Sequence, residues 1–506
     1  MKNKNTERIM KMKKRLLCLT SVLLICIMIL SGCGKAKKEQ EEPKTDVSKA
    51  GEKECLVPHL GKGKEEYKGK TLKVLATWEE KNFGTEQITP DEMNGEPVND
   101  AFRNRNQRIE QEYGFRIEGE FTPGWDDFTV KVKNDMQSNT ADYDVVTTGA
   151  YYLAPLAVDG YLEDLNHLKG SNLCLDKEWW DVSANKDMTV GNKLYFTTGD
   201  IFVFDDETTC VTYFNKDIIE ELHLDNPYDL VKSSDWTVDK MYEMSKAAVL
   251  EDGDGEMTVL DDDRWGLACT NFDTYKYVAG CGCPIVDKNS DDYPVLAIAN
   301  ERNANAFLKV FDMISDRQSS ACLERFFAWN SPDRHYISDT FYNGKALFMS
   351  AHISEVSNQK MRNAEIRYGI LPNPKLDKGQ ENYQSPVEPY SFYCLGIPVN
   401  QDDIDFVTFA LEAMAYTGKK FVRPEYFDRT LKTKRFVDDD SPEMLDIIIN
   451  NRVVDIATIF NWNDCIQYYN QLLMMGSSNL ASFYESRKEG FEIAMNETIA
   501  EMENKG

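Results

Sequence analysis

The densest grouping of potential metal ligands in the sequence is an acidic turn. Residues 251–256 read Glu-Asp-Gly-Asp-Gly-Glu, and Asp261-Asp262-Asp263 follows closely. A calcium loop of the D-x-D-x-D-G type needs oxygen ligands at positions 1, 3, 5 and 12. With Gly255 at position 6, position 1 falls on Leu250, which has no side-chain oxygen. A calcium site within Asp252–Asp263 and a solvated acidic turn therefore both remain open, and we commit to no metal site.

Catalytic chemistry has little support in the sequence. A glycosidase needs two carboxylates at a fixed separation on either side of the scissile bond. Among 85 acidic residues, a neighbouring pair such as Asp126 and Asp127 occurs by chance and does not indicate such a site. The chain contains no G-x-S-x-G and no H-E-x-x-H motif, and only five histidines. We therefore predict that the protein is not an enzyme and uses no cofactor.

The cysteines do not form a recognisable framework. Cys281-Gly282-Cys283 is the only tight pair among twelve cysteines, and no second pair or histidine cluster accompanies it. We expect most of the cysteines to be small buried hydrophobic residues. Any disulfide pairing remains open.

A basic head and a short apolar run precede Leu30-Ser31-Gly32-Cys33. The run, residues 16–30, is shorter than the roughly 20 residues that span a bilayer. The segment resembles a bacterial lipoprotein signal. This resemblance implies that residues 1–32 are removed and that Cys33 carries acyl chains such as palmitate, which hold the protein on the outer face of the cell membrane. An ordinary secretory signal or a transmembrane anchor is the alternative.

The length and the net charge of the chain limit the number of domains and the kinds of partner. A chain of 506 residues, 42% of them hydrophobic, accommodates two or three domains or one two-lobed unit. The formal net charge of -27 repels nucleic acid and anionic lipid head groups. We therefore exclude nucleic acid as a partner.

Strand and helix patterns alternate after a polar start. Residues 33–70 are rich in Lys, Glu and Gly and are predicted to be a flexible tether. Strands are predicted near 71–77, 115–121 and 144–148, with a helix from Val98 to Tyr113 between the first two. This spacing predicts βαβ units and a mainly parallel sheet. Further on, Asp235 is predicted to cap a helix.

Six segments in order carry a family resemblance. They are Thr77-Trp78, residues 141–165 (ADYDVV, then LAVDGYLEDL), Tyr213–Asp217 (YFNKD), Phe341–Met349 (FYNGKALFM), Tyr368–Lys375 (YGILPNPK) and the passage from Pro424 to Trp462. On these segments the chain resembles extracellular solute-binding proteins of ABC importers. It is closest to the carbohydrate type that includes maltose-binding protein, in its lipid-anchored Gram-positive subgroup.

The resemblance implies a two-lobed α/β fold of the periplasmic-binding-protein type II. Each lobe is then a mixed, mainly parallel sheet flanked by helices, with a ligand cleft between the lobes. Lobe 1 is expected to hold residues 71–204 and 388–430, and lobe 2 residues 205–387 and 431–506. The expected protein is a monomer that delivers a small-molecule solute to permease subunits.

A sugar site needs aromatic platforms together with carboxylate and amide groups, and cleft sites favour loops at the carboxyl ends of parallel strands. The predicted ligand-binding residues are Trp78, Trp125, Asp126, Tyr151, Tyr152, Asp205, Asp206, Trp329 and Trp462. Each also has a structural interpretation as a core or loop residue. A sensory or adhesive lipoprotein, and less favourably an extracellular glycosidase, are the alternative functions.

Overall fold

A computed structural model describes residues 55–77, 86–90, 92–436 and 438–504. The predicted signal segment 1–32, Cys33 and Trp78 lie outside the described residues. Within the described ranges, no helix combines the length and the apolar character needed to cross a membrane.

The described residues form thirteen β-strands. These are β1 Thr71–Thr77, β2 Arg116–Thr122, β3 Val145–Gly149, β4 Cys210–Asn215, β5 Trp265–Cys269, β6 Val286–Lys288, β7 Pro294–Leu296, β8 Ser320–Cys322, β9 Ala346–His352, β10 Tyr368–Leu371, β11 Ser385–Pro386, β12 Tyr393–Gly396 and β13 Arg452–Val453.

Helices surround these strands. The α-helices of the described ranges are α1 Pro97–Tyr113, α2 Trp125–Ser138, α3 Ala150–Val158, α4 Val182–Met188, α5 Phe204–Glu207, α6 Lys216–Glu221, α7 Pro227–Lys232, α8 Val238–Ala247, α9 Asp273–Gly280, α10 Glu301–Ser315, α11 Leu323–Phe326, α12 Tyr336–Tyr342, α13 Gln359–Asn363, α14 Ile404–Thr417, α15 Ser441–Asn450, α16 Ile456–Phe460, α17 Tyr468–Met475, α18 Leu480–Glu485 and α19 Lys488–Asn504. Short 3₁₀ helices cover Glu65–Tyr67, Pro332–His335, Ile353–Ser357 and Trp462–Gln467, and π-helical turns cover Gly418–Val422 and Glu425–Arg435.

The first sheet has the order β12-β3-β1-β2. β1 pairs in parallel with β2 and β3, whereas β12 runs antiparallel to β3. Helix α1 connects β1 to β2, and it ends where Gly114 adopts a left-handed conformation at φ 78°. The predicted strands and the helix between them are therefore confirmed. We call this sheet and the helices on it lobe 1.

The second sheet has the order β10-β4-β9-β5-β8. β5 is parallel to β8 and β9, while β4 is antiparallel to β9 and β10. The carboxyl ends of β5, β8 and β9 therefore share an edge with the amino end of β4. We call this sheet and the helices on it lobe 2.

Three chain segments connect the sheets. One runs from β3 through residues 200–209 into β4, one from β10 through 385–392 into β12, and one from α14 through the π-helical turns into α15. The second segment contains β11, which pairs in parallel with β13 just after α15. The predicted lobe boundaries at 204/205, 387/388 and 430/431 fall within these connections and remain a prediction.

Two local predictions need correction. Residues 55–70 are not a flexible tether, because Val57 and Tyr67 are buried and the Tyr67 ring packs against Phe409 of α14. The cap of α8 is Thr237, whose hydroxyl accepts from the amide of Lys240, rather than Asp235. Asp235 instead forms an ion pair with Lys378.

Candidate functional site

Four aromatic side chains form a patch on lobe 1. Trp125 stacks on Tyr152 at 5.4 Å between ring centroids, and Tyr151 lies 5.2 Å from Tyr152. Tyr390 completes the group, 4.5 Å from Tyr151 and 6.4 Å from Tyr152. We call Trp125, Tyr151, Tyr152 and Tyr390 the aromatic patch.

The parallel sheet positions this patch. Trp125 begins α2 just after β2, and Tyr151 and Tyr152 lie in the first turn of α3, directly after β3. These are the carboxyl ends of neighbouring parallel strands, where binding sites of α/β sheets form. Tyr390 joins them because Gly149 has no side chain: a Cβ there would lie 1.7 Å from the Tyr390 carbonyl oxygen.

Polar groups from the segment after α16 face the patch. Asn461 lies with its Nδ2 3.5 Å from the Tyr151 hydroxyl, and the Gln467 side chain lies close enough to Tyr390 to lower the pKa of its phenol against the effect of burial. Asn461, Asn463 and Asp464 all have positive φ, between 48° and 59°. Non-glycine residues adopt this region rarely, and such strain clusters at functional sites.

The patch offers both apolar faces and unused hydrogen-bonding groups. The indole Nε1 of Trp125 is buried and has no hydrogen-bond partner among the described residues. Burial raises the pKa of Tyr152 and of Tyr390, so both phenols stay neutral at physiological pH. Aromatic faces with neutral donors and acceptors suit a ligand that presents CH surfaces and hydroxyl groups.

A buried charged group lies beside the patch. Glu388 accepts hydrogen bonds from the amides of Tyr390 at 3.2 Å and Ser391 at 2.9 Å. Burial raises the pKa of Glu388, and Lys276 of lobe 2 opposes this rise. Lys276 is paired with Asp273 at 2.7 Å. Burial alone lowers the pKa of Lys276, but the Asp273 carboxylate outweighs it, so Lys276 keeps its charge.

A second charged group lies where the chain crosses between the sheets. Arg452 Nη1 is 2.6 Å from Asp206, its Nη2 is 3.4 Å from Asp205, and Nη2 also donates to Asp181. Arg423 donates to Asp200 at 2.6 Å and lies 3.3 Å from Asp206. We call these residues the crossing ion network. It uses Asp205 and Asp206 in ion pairs that tie residues 200–206 to β13.

The other predicted site residues have separate surroundings. Asp126 is exposed in the first turn of α2, and its charge helps to raise the pKa of Tyr152. Trp329 is 54% exposed, and Arg334 lies over its ring at 4.2 Å. Trp462 is buried and donates its indole N–H to Thr498 at 3.0 Å. The structure thus brings Trp125, Asp126, Tyr151 and Tyr152 together, and it places Trp462 in the core.

Sequence reasoning missed Tyr390, Asn461, Gln467, Glu388 and Lys276. Tyr390 and Glu388 lie in Pro386-Val387-Glu388-Pro389-Tyr390, where two prolines bracket an acidic residue between β10 and β12. Asn461 belongs to the aromatic-polar passage Phe460–Asp464, from which the tryptophan was selected instead of its amide neighbour. Lys276 lies three residues after Asp273 in a short helix that also contains two tyrosines, a valine and an alanine, and this spacing of opposite charges among buried residues is a signal for a buried ion pair.

The structure also describes the acidic turn and the cysteines. Glu251, Asp252 and Asp263 bring one oxygen each within 4.8 Å, and the buried Asp263 accepts from the amides of Asp252 and Thr258. The Asp263 carboxylate therefore holds the turn together through backbone hydrogen bonds. The nine described cysteines are all free and seven of them are buried, which confirms the prediction that most are small buried residues.

Comparison with known families gives a match over part of the chain. Residues 95–316 match the family model described as bacterial extracellular solute-binding protein. This match confirms the family resemblance, while the lipid-anchored subgroup remains a prediction. No curated protein matches the chain in sequence.

Solved structures of solute-binding proteins share the fold. An ABC substrate-binding protein from Listeria monocytogenes in complex with cycloalternan is 15% identical, with TM-score 0.51 over 86% of this chain and 99% of its own. A cyclo/maltodextrin-binding protein complexed with maltotetraose is 14% identical, with TM-score 0.53 over 87% and 98%. UgpB from Mycobacterium tuberculosis in complex with glycerophosphocholine is 14% identical, with TM-score 0.55 over 80% and 97%. These likenesses confirm the two-lobed α/β fold class.

Proposed function

We propose that the protein is an extracellular solute-binding protein, which captures a sugar or oligosaccharide on the aromatic patch and delivers it to the permease of an ABC importer. The observation that carries the proposal is the patch itself. Its four rings stand at strand ends of lobe 1, and amide groups of Asn461 and Gln467 face them from the segment after α16.

The chemistry of the patch fits a carbohydrate. Sugar rings present CH faces that stack on aromatic rings and hydroxyl groups that exchange hydrogen bonds. The unpartnered indole N–H of Trp125, the neutral phenol of Tyr152 and the exposed carboxylate of Asp126 supply donors and acceptors around the rings. Of the predicted ligand residues, we therefore retain these three and Tyr151 as direct contacts, and we add Tyr390 and Asn461.

Capture requires a difference between an open and a closed form. A ligand shifts the equilibrium toward closure only if it gains contacts in the closed form that the open form lacks. A ligand on the patch touches lobe 1 rings and the Asn461 segment at once. We assign Asp205 and Asp206 to the crossing ion network, where they set the geometry of closure without touching solute.

The remaining parts of the proposal concern location and partners. We propose that Cys33 is lipidated after removal of residues 1–32, that the protein is a monomer on the outer face of the membrane, and that its closed form docks on permease subunits. Mass spectrometry of the mature N-terminus tests the lipid, and a neighbouring pair of permease genes supports import. A neighbouring sensor-kinase gene favours the sensory alternative.

A ligand screen with patch variants tests the proposal. The full chain is screened by thermal shift against mono- and oligosaccharides, peptides and glycerophosphocholine, because ligand binding to the native state raises apparent stability. Tyr151→Ala and Trp125→Ala are expected to weaken binding of the active sugar at least about tenfold, which corresponds to roughly 1.4 kcal/mol. Tyr336→Ala is the matched control, since Tyr336 is 37% exposed and stacks on His335 at the start of α12, away from the patch.

Each outcome has a defined meaning. Sugar binding that is lost in both patch variants and kept in the control supports the proposal. Equal binding in all three variants removes the patch from the site. A shift with glycerophosphocholine or a peptide and with no sugar overturns the carbohydrate assignment, and release of a cleaved product favours the glycosidase.

A further inference from the structure

A histidine, a thiol and a carboxylate meet on lobe 1. His59, Cys174 and Glu412 each offer one ligand atom, and the three atoms lie within 4.8 Å of one another. His59 Nε2 is already 2.8 Å from Glu412 Oε1. The three residues come from separate parts of the chain: the segment before β1, the loop before α4, and the middle of α14.

The carboxylate is rigidly oriented. Glu412 is fully buried, and the indole N–H groups of Trp179 and Trp180 donate to its two oxygens at 2.8 Å each. The amide of Cys174 adds a third bond at 3.0 Å. Hydrogen bonds of this kind hold metal-ligating carboxylates in place in known metal sites, as an outer shell around the ligands.

The thiol and the imidazole are available to a cation. The Cys174 Sγ donates a weak hydrogen bond to the Asn172 carbonyl oxygen at 3.8 Å. A thiol binds a cation as the thiolate, so a cation at this sulfur takes the place of the thiol proton. The His59 side chain is 31% exposed and stacks on Trp179, which gives solvent a route to its ring.

We propose that His59, Cys174 and Glu412 bind one divalent cation of zinc-like softness, with a water molecule as the fourth ligand. The set combines nitrogen, sulfur and oxygen ligands, which zinc accepts in tetrahedral geometry, and three protein ligands with one open position are common in zinc proteins. On binding, the thiol loses one proton to solvent. His59 keeps its single proton by moving it to Nδ1, and the two anionic ligands neutralise the cation.

The site has a structural consequence for the start of the ordered chain. The cation would tie His59, and with it residues 55–60, to α14 and to the loop that leads into α4. Because the unfolded chain lacks this arrangement, bound cation stabilises the folded state by mass action. Residues 55–60 would then detach from lobe 1 less often when zinc is present.

Zn²⁺ and Co²⁺ alone serve as probes for the full chain. Zn²⁺ is expected to bind with one-to-one stoichiometry and to raise the melting temperature. Cys174→Ser and His59→Gln are each expected to weaken binding at least tenfold. The matched controls are Cys55→Ser, a second partly exposed thiol, and His167→Gln, a histidine 2.6 Å from Asp164 that has no thiol partner among the described residues. Both control variants are expected to bind Zn²⁺ and to gain melting temperature as the wild type does.

Two further readouts keep the proposal testable if a variant folds poorly. In the wild type, Co²⁺ is expected to give thiolate-to-metal charge-transfer absorption. Calorimetry in two buffers is expected to show release of one proton, with affinity that rises about tenfold for each pH unit. A Zn²⁺ response that survives in both ligand variants overturns the site, and so does the absence of a thermal shift and of the cobalt band.

Discussion

Replacing Arg452 with methionine removes a cation that three carboxylates share, two of them buried. Arg452 is 9% exposed and contacts Asp181, Asp205 and Asp206. Loss of one partner from a buried ion pair costs about 3–5 kcal/mol, because the remaining charge is left uncompensated. Methionine has a similar length and fills much of the space, so the loss reflects charge more than packing. We expect Arg452→Met to lose about 3–5 kcal/mol of unfolding free energy near pH 7.5.

The pH dependence of this loss distinguishes charge from packing. Burial, and then Asp206, already raise the pKa of Asp205 in the wild type. Without Arg452 the pKa of Asp205 rises further. An acid whose pKa is raised on folding binds more protons in the folded state, so its stabilising contribution is present at low pH and is lost as pH rises. The deficit of Arg452→Met is therefore expected to shrink by about 1–2 kcal/mol between pH 7.5 and pH 5.5.

Urea unfolding at the two pH values measures this effect. Arg429→Met is the control, because Arg429 is 63% exposed and its pair with Glu425 is worth at most about 0.5 kcal/mol. Adding Asp205→Asn to Arg452→Met removes one uncompensated charge and is expected to recover part of the loss, as a double-mutant cycle shows. A deficit no larger than that of the control, or one that does not change with pH, would refute the reasoning.

Three further changes have defined outcomes. Gly149→Ala places a Cβ 1.7 Å from the Tyr390 carbonyl oxygen, so we expect ligand affinity to fall at least about tenfold, with about 1–3 kcal/mol lost in unfolding. Burial raises the pKa of Asp187 from 3.8 to about 6. Its contribution to stability therefore falls as pH rises from about 4 to about 6, and Asp187→Asn is expected to flatten the stability profile across that range in urea unfolding. Trp236→Phe leaves the Pro372 carbonyl without its donor at 2.9 Å and costs about 1–3 kcal/mol in urea unfolding.

Local patterns in the sequence predicted the first sheet well. Leu72, Val74 and Ala76 alternate along β1, and Gly114 stops α1, because these choices depend on neighbours along the chain. The tether prediction was wrong for residues 55–70, since its residues are polar in composition while Val57 and Tyr67 find their partners in α1 and α14. Composition does not reveal contacts so distant in sequence.

In the candidate site too, contacts between residues close in sequence could be predicted and contacts between distant residues could not. Trp125, Tyr151 and Tyr152 follow predicted strands, so the rule that binding sites form at strand ends places them correctly beside each other. Tyr390 lies beside them only because the chain returns from lobe 2 to lobe 1 before β12. Its backbone can approach β3 closely only because residue 149 is a glycine. The partner of Asp205 and Asp206, Arg452, is more than 240 residues away, and no periodicity connects them.

The free cysteines can report local opening of the folded chain, because a buried thiol reacts only when the structure around it opens. Among the described residues, only Cys55 and Cys174 are partly exposed, while seven thiols are buried in both lobes. A thiol reagent can therefore modify the buried set only when the segment around each sulfur opens. Peptide mapping after timed labelling would then rank the opening free energies of β4, β5, β8 and β12, each of which holds one buried cysteine. The same mapping with and without solute would locate the segments that ligand binding holds shut.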